Sequence, residues 1–132
     1  VTAGTGQLTS VNITVPVDAH FVHVDGGASM AGGTANYGVF IAEASCAIED
    51  RTNEAFSVVN ASVGQSSVST EAVFSATPGV HTYRLCWGSG GSLQSYGVHI
   101  AATTEALNGS GLPSLPAPSQ PKSTGAAVGT AG

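Results

Sequence analysis

The stretch Thr77–Trp87, TPGVHTYRLCW, decides the fold of this chain. It opens with Pro-Gly, a turn signal, and continues as an extended strand whose successive side chains point to opposite sides. The aromatic and apolar side carries His81, Tyr83, Leu85 and Trp87. The other side carries Val80, Thr82, Arg84 and Cys86. A strand with one apolar side packs that side against a second sheet, so this stretch predicts a packed β-structure.

The remaining chain repeats the strand pattern. Alternating or short apolar runs occupy segments 11–17, 20–24, 37–45, 55–63, 67–76 and 93–102. Segment 25–33 holds four glycines and fits either a bulged strand or a loop. About seven or eight short strands without a helical period predict an all-β protein, an antiparallel two-sheet sandwich. Segment 46–54, CAIEDRTNE, is the most charged stretch and is predicted to be a solvated loop.

The glycine-rich segment Gly88–Ser92 predicts a hairpin loop that joins the opening stretch to the strand at 93–102. In that hairpin the apolar sides of both arms face the interior. The predicted core consists of Tyr83, Leu85, Trp87, Tyr96 and Ile100. Arg84 and Cys86 are then expected to face outward or toward a neighbouring subunit, with Glu43 as the candidate partner of Arg84.

The composition argues against a nucleic-acid partner and against membrane insertion. Only 8% of the 132 residues are charged, and acidic residues outnumber basic ones 8 to 3. Without a basic patch to neutralise phosphates, we expect no nucleic-acid partner. Without a run of about 18 apolar residues, we expect no membrane insertion.

The two ends differ from the middle. Residues 1–8 are rich in Gly and Thr and predict an N-terminal arm, and residues 9–107 predict the sandwich domain. Residues 108–132 hold four of the six prolines and one charge, which predicts an extended tail without a core of its own. Leu112 and Leu115 are its large apolar residues. Their spacing of three places both on one side of a polyproline II helix, so they are the predicted tail anchors.

Three Asn-x-Ser/Thr sequons are candidate glycosylation acceptors, at Asn12, Asn60 and Asn108. Ser and Thr are abundant in this chain, so chance occurrence is the alternative explanation. Occupied sequons would favour a secreted protein.

The TPGVHTYRLCW stretch, followed by a loop and a final strand, resembles the C-terminal half of C1q/TNF-like jelly rolls, with bacterial and phage members as the closer match. The segment LTSVNITVPVDAHFVHVDGGAS at 8–29 is similar to the opening strands of those domains. The resemblance spans roughly residues 8–106. It implies a homotrimer with a structural or binding role and without catalysis.

The resemblance also implies a cysteine pairing. In such jelly rolls the strand that ends near Cys46 and the strand that carries Cys86 are sheet neighbours, so a disulfide between them is a reasonable expectation. The alternative is two free thiols buried as small apolar groups.

No catalytic or metal-binding pattern is present in the sequence. His20 and His23 fall on opposite faces of a strand, so they are poor ligands for one ion. The loop at 88–92 lacks the Lys and the helix of a phosphate-binding loop, and no Gly-x-Ser-x-Gly elbow occurs. We therefore expect no catalytic residue, no metal and no cofactor.

The sequence leads to one main hypothesis and one alternative. The main hypothesis is a non-enzymatic structural module, a homotrimer that decorates the surface of a phage or virus particle and contacts its other structural proteins through extended arms. The alternative is a secreted C1q-like or lectin-type module that binds glycan or protein. The corresponding locations are the virion surface and the extracellular space.

Overall fold

The structure, a computed structural model of the single chain, describes residues 1–47 and 51–105. Within these ranges the chain forms seven strands: β1 (Gly4–Val15), β2 (Phe21–Ala31), β3 (Ala35–Ala42), β4 (Ala55–Val59), β5 (Gln65–Ser75), β6 (Gly79–Ser89) and β7 (Gln94–Glu105). No helix in the described part is long and apolar enough to cross a bilayer.

The described strands form two antiparallel sheets. The four-stranded sheet has the order β1-β6-β3-β4, and the three-stranded sheet has the order β5-β2-β7. The predicted all-β, antiparallel two-sheet sandwich is therefore confirmed.

The opening stretch lies at the centre of this architecture, because β6 pairs with β1 on one edge and with β3 on the other. Tyr83 and Leu85 point between the sheets and are fully buried. They pack with apolar residues of both sheets, among them Val24, Ile41 and Ile100. The inward placement of Tyr83, Leu85 and Ile100 agrees with the sequence prediction.

The predicted hairpin between 77–87 and 93–102 is wrong, because β6 and β7 belong to different sheets. Both edges of β6 are already occupied, so β7 pairs with β2 instead. The chain crosses between the sheets after Ser89. The Gly90 N–H donates to the Asn36 carbonyl (3.0 Å) and the Leu93 N–H to the Val1 carbonyl (3.1 Å), which holds the crossing in place.

Two predicted core residues are placed differently by the structure. Tyr96 is 47% exposed, because the pairing of β2 with β7 shifts by one residue between Gly27↔His99 and Ser29↔Tyr96. Gly97, at φ +58°, lies in this bulge, and the shift moves Tyr96 to the outer face. Trp87 points inward but is only half-buried, and it packs beside Met30, Tyr37, Val59 and Leu93 rather than against Tyr96.

The predicted N-terminal arm is also revised. Residues 4–8 belong to β1, and the N-terminal ammonium of Val1 donates to the Leu93 carbonyl at 2.9 Å. The glycine-containing segment 25–33 is largely strand, as part of β2. The tail at 108–132, with Asn108, Leu112 and Leu115, lies outside the described residues.

Candidate functional site

The outer face of the four-stranded sheet is covered by the chain that follows β3. Phe40 and Cys86 are neighbours on β3 and β6 and face away from the sandwich core, yet both are fully buried. Their cover begins with Cys46, which is joined to Cys86 by a disulfide with a Cα–Cα distance of 5.5 Å. The predicted pairing of the two cysteines is thus present, and it pins the segment after β3 onto this face.

The second part of the cover is an arginine held flat on the sheet. The Arg51 guanidinium lies 4.7 Å from the centre of the Phe40 ring, a cation–π arrangement, and it also donates to the Glu54 carboxylate. A Cβ at Gly88 would collide with this guanidinium, and a Cβ at Gly38 would collide with the Glu54 carboxylate. Glycines in two central strands therefore provide the space in which Arg51 and Glu54 lie.

Beside this ion pair the outer face forms a groove with a volume of about 380 Å³. Its floor is a row of paired residues across all four strands, Thr5, Gly88, Gly38 and Phe56. Arg51 and Glu54 form one wall and Asn36 lines the opposite side. We call this depression the glycine groove. Phe56 is 71% exposed, so the groove presents an uncovered aromatic ring beside a neutralised ion pair.

Asn53 fixes the position of the groove wall. Strand β4 pairs only with residues 35–39 of β3 and leaves the next part of that edge open. The Asn53 side chain closes it, since its Oδ1 accepts from the Ile41 N–H (2.7 Å) and its Nδ2 donates to the Ile41 carbonyl (3.1 Å). One side-chain amide thus replaces a strand and anchors the residues between Arg51 and Glu54.

At the opposite end of β6, His81 links two segments. Its Nδ1 lies 2.6 Å from the Glu43 carboxylate and its Nε2 lies 2.7 Å from the Thr77 carbonyl. Both hydrogen bonds are made together only when both ring nitrogens carry a proton. The Glu43 hydrogen bond first, and then the Thr77 bond, raises the pKa of His81 above its ordinary value of 6.5.

Arg84 donates to the backbone carbonyl of Glu43, while the Glu43 carboxylate turns to His81. The predicted contact of Arg84 with Glu43 is therefore present, but as a main-chain hydrogen bond. Close by, the Tyr83 hydroxyl is buried without a partner among the described residues. Burial first, and the charge of Glu43 second, raises the pKa of Tyr83 to about 12, so this phenol stays neutral.

The His81 arrangement predicts a pH-dependent stability. Because the pKa of His81 is raised in the folded chain, its contribution is complete below pH 6.5 and is lost as the pH rises through the folded-state pKa. We expect the urea midpoint of the wild type to fall across this window and that of His81→Gln to fall less. The proton resonances of the His81 ring, followed by NMR against pH, check the pKa itself. A folded-state value at or below 6.5 would contradict the prediction.

The outer face of the three-stranded sheet carries most of the remaining ionisable groups. His23 lies 3.2 Å from the Glu71 carboxylate, and Asp25 is paired directly opposite Glu71. His99 lies over Gly27 on the same face, and His20 is exposed just before β2. Within residues 1–47 and 51–105 no set of three or more His, Cys, Asp or Glu side chains is arranged to hold a metal ion.

The two sequons within the described ranges lie in different settings. Asn12 is exposed on β1, and its Oδ1 accepts from the Thr82 hydroxyl at 2.7 Å. Asn60 follows β4, and its Oδ1 accepts from the N–H groups of Ser62 and Val63 (2.9 and 2.7 Å), which builds the turn before β5. Side-chain roles in structure thus account for the choice of Asn at both positions.

No protein-family model, curated protein or solved structure matches this chain. The glycine groove is therefore interpreted from its own geometry.

Sequence reasoning missed the residues that build the groove. The prediction for 46–54 was a solvated loop, whereas Arg51 and Glu54 lie on the sheet and the Glu54 side chain is only 4% exposed. The available signal was Gly38 inside the predicted strand 37–45, because glycine in a strand interior often marks a close approach of another part of the chain.

Proposed function

We propose that the chain is a non-enzymatic structural module that assembles as a homotrimer and decorates the surface of a phage or virus particle. The proposed particle surface and the proposed trimer both rest on the resemblance to C1q/TNF-like jelly rolls of bacterial and phage type. The observation that supports a docking role is the glycine groove itself, a preformed depression with an exposed Phe56 and a closed ion pair. Its polar groups are suited to orienting and binding a partner, and not to a chemical reaction.

The disulfide supports a location outside the reducing cytoplasm, which fits the secreted alternative as well as a virion surface, and together with occupied sequons it would favour the secreted protein. Cys46 and Cys86 are joined, and such bonds persist on virion and cell surfaces and in secreted proteins. A surface location also fits the low charge, since a coat of Ser, Thr and Asn keeps the outside polar.

The alternative is a secreted module that binds glycan or protein, and one observation favours it. Phe56 lies in the same groove as Asn36 and Thr5, so an exposed ring and hydrogen-bonding side chains converge on one depression. Such a combination is typical of small-ligand sites, in which apolar walls carry a few oriented polar groups.

The homotrimer is tested by light scattering of the native, unreduced chain over a range of concentrations. We expect a mass three times that of the chain, and intact mass spectrometry without reductant is expected to show the loss of the two hydrogen atoms that disulfide formation removes. A monomer at every concentration would overturn the homotrimer. Binding to an array of glycans that Phe56→Ser abolishes would establish the alternative.

A further inference from the structure

We propose that the glycine groove binds the proline-rich tail of a second copy of this chain, through the segment 112–121. This assignment rests on the homotrimer proposed above. It identifies the surface and the segment through which the copies hold each other.

The groove requires an apolar, narrow and uncharged occupant. Phe56 is 71% exposed and Val58, two residues further along the edge strand β4, is 37% exposed. The charges next to them are already paired with each other, Arg51 with Glu54. A charged ligand would have to break this pair, whereas an apolar one covers the exposed side chains and gains their burial.

The floor of the groove limits the shape of the occupant. Arg51 and Glu54 fill the space above Gly88 and Gly38, and the open part of the groove lies beside this pair, across neighbouring strands and roughly 5–10 Å wide. A polyproline II helix is a rod of that kind, and its exposed carbonyls accept hydrogen bonds from flanking side chains. Asn36 and Thr5 line the groove and supply donors for this purpose.

The segment 112–121, LPSLPAPSQP, has the matching chemistry. It has no charge and contains two Pro-x-x-Pro repeats, Pro113–Pro116 and Pro118–Pro121. Such repeats bind aromatic-lined grooves because their rod is formed before binding and costs little entropy to order. Leu112 and Leu115 share one side of the rod and are the side chains expected to contact Phe56 and Val58.

The position at which the described chain ends favours a tail from another copy. Glu105 pairs with Phe21, at the end of the sandwich where β5 leads into β6. Gly88 lies nine residues along β6 from Gly79, about 30 Å from that end, and on the other sheet. The seven residues from Glu105 to Leu112 span at most about 25 Å, so another copy can place both anchors, Leu112 and Leu115, on Phe56 and Val58 more readily than the same chain can.

A contact of this kind is heterologous, because each copy offers a tail and receives one. Heterologous contacts close into a ring when the rotation allows it, and a ring of three gives the homotrimer. The tail contributes contact area without a core of its own. Each copy makes two contacts, one through its groove and one through its tail.

The test uses full chains with matched variants. Phe56→Ser removes the aromatic ring of the groove, and Val73→Ser is its control, since Val73 is 55% exposed on the outer face of the other sheet. Leu112→Ser/Leu115→Ser removes the anchors of the tail, and Ser114→Ala/Ser119→Ala is its control. We expect both test variants to weaken association by about tenfold or more and both controls to associate as the wild type does.

Mixing decides between a groove–tail contact and an unrelated interface. The Phe56→Ser chain retains its tail and the Leu112→Ser/Leu115→Ser chain retains its groove, so an equimolar mixture is expected to form heterodimers that neither variant forms alone. Wild-type association of either test variant, or a mixture that stays monomeric, would overturn the tail assignment while the homotrimer stands. If the wild type itself is monomeric, the homotrimer falls. The groove assignment is then measured with a synthetic 108–123 peptide, for which binding that Phe56→Ser abolishes supports it and absence of binding overturns it.

Discussion

Replacing Leu85 by Ala is expected to lower the free energy of unfolding by about 2–5 kcal/mol. Leu85 is fully buried on the central strand β6, where it contacts apolar residues from both sheets. The shortened side chain loses its transfer free energy and leaves a cavity, which the strands on either side of β6 prevent from collapsing. Urea denaturation of the unreduced chain measures the change.

The matched control is Val80→Ala on the same strand. Val80 is 70% exposed, so its truncation is expected to change the free energy of unfolding by no more than about 0.5 kcal/mol. Equal losses for the two variants would show that the inner and outer faces of β6 have been assigned the wrong way round.

The alternation in 77–87 was enough to predict β6 and its inner face. Pro-Gly marks its start, and the period of two places Tyr83 and Leu85 together. Both are fully buried in the structure. Local patterns of this kind are reliable because the geometry of a strand allows its side chains only two directions.

The predicted partner of that strand was wrong for a reason that local sequence does not contain. Gly88–Ser92 has the composition of a hairpin loop, but the same residues equally allow the chain to cross to the other sheet. The choice depends on β1 and β3, which occupy both edges of β6. Which strands pair across long sequence separations therefore depends on the positions of all the strands in the sandwich.

The face of Tyr96 shows the effect of a single residue. Strict alternation from Ile100 back to Tyr96 puts both inside. One bulge at Gly97 shifts the register, and Tyr96 moves to the surface. A glycine inside a strand indicates either a bulge or the close approach of another part of the chain, and the sequence does not distinguish the two. Gly97 belongs to a bulge, whereas Gly38 and Gly88 allow Glu54 and Arg51 to approach the sheet.

The groove was beyond sequence reasoning because its parts are far apart. Arg51, Phe40 and Gly88 come from a connection and two different strands, and only the folded sheet brings them together. The cysteine pairing also pointed to the region, since it implied that the chain after β3 returns to β6.

Replacing both cysteines, Cys46→Ala/Cys86→Ala, is expected to lower the free energy of unfolding by about 4 kcal/mol. The bond closes a loop with a sequence separation of 40, and this constraint on the unfolded chain is what the variant removes. Each single Ala variant breaks the same bond, so both singles are expected to lose nearly as much as the double. The unfolded chain without the bond also exposes more surface, so the denaturant slope of unfolding should rise.

The same variants test whether the disulfide shapes the glycine groove. Without Cys46 to hold the segment after β3, the cover over Phe40 still has the Arg51 contact with Phe40 and the Asn53 hydrogen bonds to Ile41. We expect the exchange of the Ile41 amide proton, which Asn53 protects, to become faster in the double variant and in the reduced wild type alike. Ala44→Ser, two residues before Cys46 and exposed, is the control and should leave both stability and exchange unchanged. If the unfolding free energy and the exchange rate stay at the wild-type values after reduction, the segment over Phe40 keeps its place without the disulfide. In that case the disulfide would contribute nothing to the groove, and Arg51 stacked on Phe40 would be sufficient to form its wall.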